Sequence, residues 1–227
     1  MERMLEIKNF SMQVGEKRIL NQISLDFELG KNYCILGKNG SGKSSLAMTM
    51  MGYPQYEIVA GDLLLEGERL NDFSADERAK RGIFLAFQHI PEIPGIKLFE
   101  FLKGMYDVAT GSTTTFLAFK SLIEPILATL NLSKEFLWRD LNVGCSGGER
   151  RKFEILQMKL LNPKYIILDE IDSWLDRDAS KAVASLLAEV SSSTNTFIII
   201  THAFSLLDVL PVDEVIVMQE GSIVQKG

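Results

Sequence analysis

The chain has 227 residues, 46% of them hydrophobic and 24% charged, with a formal net charge of −6 at pH 7. That length suits one large domain, or one domain with a subdomain, and the apolar content suffices for a sizeable core. The acidic balance argues against a general nucleic-acid or anionic-membrane binder, and two cysteines with two histidines, all widely spaced, make neither a disulfide framework nor a structural metal site.

Met4 to Met12 alternates as a strand, with Leu5 and Ile7 on one side and Asn9 next in register. Gly15-Glu16-Lys17 is a turn, and Ile23, Leu25, Phe27 and Leu29 share one face of a second strand. After the turn Gly30-Lys31-Asn32, the apolar strand Tyr33-Cys34-Ile35-Leu36 runs into Gly37-Lys38-Asn39-Gly40-Ser41-Gly42-Lys43-Ser44. A helix-forming run from Ser45 to Met51 leaves it. Asp62 to Leu70 reads as a β pair turning at Glu66-Gly67-Glu68, Ala75 to Lys80 as a short helix, and Gly82 to Phe87 as an apolar run ending in Gln88.

From about Ile96 to Leu161 the pattern is mostly helical, over Leu98–Tyr106, Thr115–Leu130 and Gly147–Leu161, and Asn162-Pro163 stops the last helix. Tyr165–Leu168, Thr196–Ile200 and Glu214–Met218 are short continuous apolar runs, as in strands covered on both faces of a parallel sheet. Helices are expected between them, over Arg177–Ser191 and Phe204–Leu210. No stretch approaches ~18 consecutive apolar residues, so no direct membrane insertion is expected. No basic region precedes an apolar stretch at the N-terminus, so no leader is expected there.

The segment Gly37 to Ser44 fits G-x-x-x-x-G-K-[ST] without mismatch, between a strand and a helix as that motif requires. Its glycines let backbone N–H groups converge on phosphate oxygens, and the helix that follows aims its positive end at the same anion. Lys43 then reaches the β- and γ-phosphates, and the Ser44 hydroxyl ligates Mg²⁺. Asp169 and Glu170 end the apolar strand from Tyr165; after a phosphate loop they read as a Mg²⁺-holding acid and a water-polarising acid. Ser146-Gly147-Gly148-Glu149 opens a long helix, where Ser146 serves both as a cap and as part of a second anion site. The run Arg150-Arg151-Lys152 reads as a solvated helix face, with no nucleic-acid partner expected.

The order is distinctive: phosphate loop, Gln88 after a strand, Ser-Gly-Gly before a helix, an apolar strand with Asp-Glu, and His202 after a strand. It resembles the nucleotide-binding domain of ABC ATPases over nearly the whole chain. Within that family it is most similar to the SufC-type ATPases of the Suf iron–sulfur cluster assembly system. The likeness is carried by Phe87 to Gly95, Cys145 to Met158 and Leu168 to Ser173. Transporter ATPases of the family usually have Gln where Glu149 stands, and rarely have the segment Glu92-Ile93-Pro94-Gly95.

The resemblance implies an α/β fold with a RecA-like parallel sheet, an N-terminal antiparallel β element and an inserted helical subdomain. Residues 1–88 and 162–227 would form the catalytic core, and residues 89–161 the helical part. It implies that Gly37, Lys38, Asn39, Gly40, Ser41, Gly42, Lys43, Ser44 and Ser45 hold the phosphates of ATP. Ser44 and Gln88 would ligate Mg²⁺ with Asp169 behind them, Glu170 would be the catalytic carboxylate, and His202 would sense the γ-phosphate. Ser146, Gly147, Gly148 and Glu149 would close over ATP bound to a second chain in a transient head-to-tail homodimer. Ser173 to Asp176 would cross that interface; Trp174 departs from the usual glycine or alanine there. The position that stacks on adenine is Val14, not an aromatic residue. The implied partners are SufB/SufD-like scaffold proteins contacting the region from Gln88 to Met105, in the cytoplasm. A membrane transporter's ATP-binding subunit is the competing reading.

Overall fold

The computed structural model describes residues 4–87, 91–171, 177–201 and 207–227, with only the backbone for 177–179. The first sheet is antiparallel. It is built from β1 (Met4–Val14), β2 (Lys17–Glu28), β4 (Glu57–Leu65) and β5 (Glu68–Arg69), in the order β2-β1-β4-β5. Leu5 and Ile7 are buried as the alternation requires, but Asn9 is exposed and breaks it. Asn9 adopts φ 47°, and the pairing with β2 shifts between Ile7 and Phe10. The bulge returns Phe10 and Met12 to the core face. β4 also starts earlier than the sequence pattern suggests, at Glu57.

The second sheet comprises β3 (Tyr33–Leu36), β6 (Ile83–Ala86), β9 (Tyr165–Asp169), β10 (Thr196–Ile200), β11 (Glu214–Gln219) and β12 (Ser222–Lys226). Its order is β12-β11-β3-β10-β9-β6, parallel throughout except for the β11–β12 hairpin at one edge. Helix α1 (Lys43–Met51) follows β3 directly.

Successive side chains of β9 and β10 point to opposite faces, and both faces are covered. Tyr165, Ile167, Ile198 and Ile200 join the core shared with α1 and the antiparallel sheet. Ile166, Leu168, Phe197 and Ile199 join a second core with α3 (Leu98–Thr110), α4 (Phe116–Thr129), α5 (Gly147–Leu161) and α6 (Arg177–Ala188). This explains why these strands read as continuous apolar runs. The helix α2 (Ala75–Lys80) has the boundaries read from the sequence and starts in a Ser74–Glu77 capping box.

The sequence pattern missed a short antiparallel pair, β7 (Ile93–Lys97) with β8 (Asp140–Leu141), and a 3-10 helix over Lys134–Trp138. It also missed β12. The expected helix over Phe204–Leu210 falls largely outside the described residues. Among the described residues no helix is long and apolar enough to cross a membrane. Cys34 and Cys145 are both free and buried.

Candidate active site

Strand register sets the site. Ile200 of β10 pairs with Ile35 of β3 on one side and with Asp169 of β9 on the other. The C-terminal ends of three parallel strands therefore meet, as expected of a ligand site in an open α/β sheet. The loop from Gly37 leaves β3 there. A β-carbon on Gly37 would run into the Met218 carbonyl and the Ser41 hydroxyl, so only glycine fits. Gly42 at φ 104° caps α1, whose first turn carries no acidic side chain. The initial N–H groups of α1 thus have no carboxylate of their own, which suits a phosphate.

Lys43 is 4% exposed, and its Nζ donates to the carbonyls of Gly37 at 2.7 Å and Lys38 at 3.2 Å. Burial lowers its pKa, opposed by the negative charges of Glu170 and Asp169. Ser44 Oγ donates to Asp169 Oδ1 at 3.0 Å. Asp169 is 1% exposed; burial raises its pKa, and the Ser44 hydrogen bond opposes the rise. Glu170 sits at φ 49°, an uncommon conformation for a non-glycine residue, and its N–H donates to the Ile200 carbonyl at 2.8 Å. Asn39, Gly40, Gly42, Lys43, Ser44, Ser45 and Glu170 line one open cavity of about 260 Å³. The Ser41 hydroxyl is buried and has no hydrogen-bond partner among the described residues.

The hydroxyl of Ser44 and the carboxylate of Asp169 form a hard oxygen pair suited to Mg²⁺, which characteristically takes few protein ligands and completes its shell with water and phosphate oxygens. Behind this pair lies a second hollow of about 250 Å³, lined by Ser44, Met48, Tyr53, Gln55, Tyr56, Phe87 and Asp169. Gln88 and His202, expected at this end of the sheet, lie outside the described residues, as does the segment from Ser173 to Asp176.

Ser146, Gly147, Gly148 and Glu149 do not line the phosphate-loop cavity. They begin α5, with Ser146 and Gly147 exposed. Ser146 Oγ accepts the Glu149 N–H at 3.2 Å, and Glu149 Oε2 accepts the Ser146 N–H at 2.8 Å, forming a capping box. Arg139 Nη1 donates to Glu149 Oε1 at 3.0 Å. The Ser146 N–H, then its hydroxyl, and Arg139 hold the Glu149 carboxyl below its ordinary range. Val14 is 37% exposed at the end of β1.

Two positioning features escaped the sequence pattern. Gly221, in the β11–β12 turn at φ 76°, donates its N–H to Ser41 O at 3.0 Å and accepts the Asn21 N–H at 2.9 Å. The pair Glu220-Gly221 between two apolar runs was the available signal. The second is the basic run. Arg151 is buried, not solvated, and pairs with Glu154 three residues on.

The family model described as ABC transporter matches residues 20–173. The probable ATP-dependent transporter ycf16 of Antithamnion sp. is 42% identical over 228 residues, covering 99% of this chain and 91% of the relative. The probable ATP-dependent transporter SufC of Escherichia coli (strain K12) is 40% identical over 228 residues, covering 99% and 92%. Among solved structures, a dimeric ATP-binding cassette in a post-hydrolysis state, bound to ADP and Pi, superposes with a TM-score of 0.83 at 20% identity, covering 98% and 97%. With a phosphate loop, an Asp-Glu strand end and a capped Ser-Gly-Gly helix placed on this fold, the chain belongs to the ABC ATPase family as an ATP-binding member similar to the ycf16 and SufC-type proteins.

Proposed function

We propose that the chain hydrolyses ATP and uses the cycle to move a Suf-type iron–sulfur cluster assembly complex in the cytoplasm. The observation that carries the hydrolytic part is the convergence of Lys43, Ser44 and Glu170 on one cavity, with Asp169 bonded to Ser44. Lys43 and the loop amides hold the phosphates, and Glu170 accepts a proton from the attacking water. Ser44, Gln88 and Asp169 would hold Mg²⁺, which would supply neutralisation of phosphate charge.

The exposed start of α5 fits a site completed between two chains, with Ser146 to Glu149 facing the other chain's ATP. The dimeric cassette bound to ADP and Pi supports that arrangement. ATP joins the chains; loss of the γ-phosphate removes the bridge and the pair reopens. One surface feature supports the scaffold reading. An apolar groove of about 300 Å³ runs between β6 and helices α3 and α5, lined among others by Phe84, Phe87, Phe101, Met105 and Phe153. Pro91, Ile93, Phe101 and Met105 of its lining belong to the region that the family likeness assigns to SufB/SufD-like partners.

A second reading, the ATP-binding subunit of a membrane transporter, is favoured by the printed names of the relatives. Mild purification of the tagged chain from its native cells separates the two. Co-purifying proteins that carry iron and labile sulfide support cluster assembly. An integral membrane protein that requires detergent for extraction overturns it in favour of transport.

A further inference from the structure

Arg151 and Glu154 lie one turn apart on α5 and are almost wholly buried, with side chains 6% exposed. Arg151 Nη1 donates to Glu154 Oε2 at 2.6 Å and to the Phe87 carbonyl at 2.6 Å. Glu154 Oε1 accepts the Phe87 N–H at 3.1 Å. Both backbone polar groups of Phe87 are thus held by one pair of side chains from the helix that begins at Ser146. Burying an ion pair costs several kcal/mol per ion, and apolar residues of similar volume often serve stability as well. Stability alone is therefore a weak reason for the pair, which holds both main-chain groups of Phe87.

That residue occupies a wall. Phe87 lines the hollow that contains Ser44 and Asp169, and it also lines the apolar groove beside Phe101, Met105, Phe153 and Glu154 itself. Its ring packs edge-on against Tyr53 at 6.3 Å. In sequence it immediately precedes Gln88. A close-packed interior passes a displacement on instead of absorbing it.

We propose that Arg151 and Glu154 are positioning residues for ATP turnover, tying the main chain of Phe87 to α5 so that helix and strand end move together. The inference rests on the ATPase reading above and adds the residues that link site and groove. Burial pushes the Glu154 carboxyl up to about 7, against Arg151 on its own helix and the Phe87 N–H from the end of β6. Glu154 is thereby held closer to its neutral form than a free carboxylate.

The test is steady-state ATP hydrolysis and ATP binding by the purified full chain, with Glu154→Ala, Glu154→Gln and Arg151→Lys. Glu154→Ala is expected to lower kcat about tenfold or more with KM for ATP within about threefold of the parent, the signature of lost positioning. Glu154→Gln keeps an acceptor for the Phe87 N–H; it recovers kcat to within about threefold and loses the parent's inflection near pH 7. If Glu154→Ala gives no cooperative melt, Arg151→Lys decides, with kcat expected about fivefold down at unchanged KM because an ammonium cannot reproduce the guanidinium fork. Variants that melt like the parent and keep its kcat overturn the proposal, as does loss of kcat in step with loss of ATP affinity. A parent chain no faster than Glu170→Gln sinks the ATPase reading, and this inference with it.

Discussion

Ser44 and Asp169 are 125 residues apart in sequence, yet the Ser44 hydroxyl donates to the Asp169 carboxylate at 3.0 Å. The bond joins the first turn of α1 to the end of β9, and it forms because β10 lies between β3 and β9 in the sheet. Asp169 is held in a buried place where its charge is costly. Such a group serves the site at the expense of the fold.

Asp169→Asn should therefore stabilise the ligand-free chain. Burial disfavours the charged form at neutral pH, so removing the charge is expected to raise Tm. On the proposed role of Asp169 in holding Mg²⁺, the same change should cut ATP hydrolysis by about a hundredfold. A thermal melt and a phosphate-release assay on one preparation check both directions. A lower Tm contradicts the assignment.

Lys43→Ala should leave the fold intact and weaken ATP binding. The ammonium makes two hydrogen bonds inside the loop and is aimed at the site. Loss of charged hydrogen bonds of about 1.5–3 kcal/mol predicts an affinity at least about tenfold lower. Titration with a fluorescent ATP analogue measures it.

Gly221→Ala tests the support beneath the loop. Its φ of 76° is poorly tolerated by a side chain, and the new β-carbon would meet the Ile19 carbonyl. A strain of about 1–3 kcal/mol is expected, lowering Tm by about 2 °C or more. Because Gly221 holds Ser41, ATP affinity should fall as well. A variant with the parent's Tm and affinity removes the turn from the site's support.

Glu154 gives the chain a pH-dependent stability of definite sign. Its pKa is raised from 4.5 to about 7 by burial, so the folded state binds more protons than the unfolded state between those values. The contribution is fully present below about pH 4.5 and is lost as pH rises through 7, amounting to at most about 3 kcal/mol. Subtracting the melts of Glu154→Gln from those of the parent, across pH 5 to 8, isolates it. A difference that does not change with pH contradicts the assignment.

The local chemistry of the fold was legible because it repeats at short range. Alternation marked β2, the short run Ala75–Lys80 marked α2, and the double-sided burial of β9 and β10 followed from their unbroken apolar runs. The bulge at Asn9 was not legible, since alternation on either side looks regular until one residue takes a positive φ. The hold of Arg151 and Glu154 on Phe87 spans more than 60 residues of sequence. Its only local trace is Glu154 three positions after Arg151 with Phe153, Ile155 and Leu156 around it, which points to a buried pair more than to a solvated stripe. The cavity groups themselves were readable because a phosphate loop is one continuous segment; the bond from Ser44 to Asp169 needed the strand order.

The most direct measurement is phosphate release by the purified chain with ATP and Mg²⁺, compared with Glu170→Gln. Removing a general base costs about 10²–10⁴-fold, so the parent should exceed the variant by at least about a hundredfold, while both bind ATP with similar affinity. Equal rates in the two proteins would contradict hydrolysis at this site.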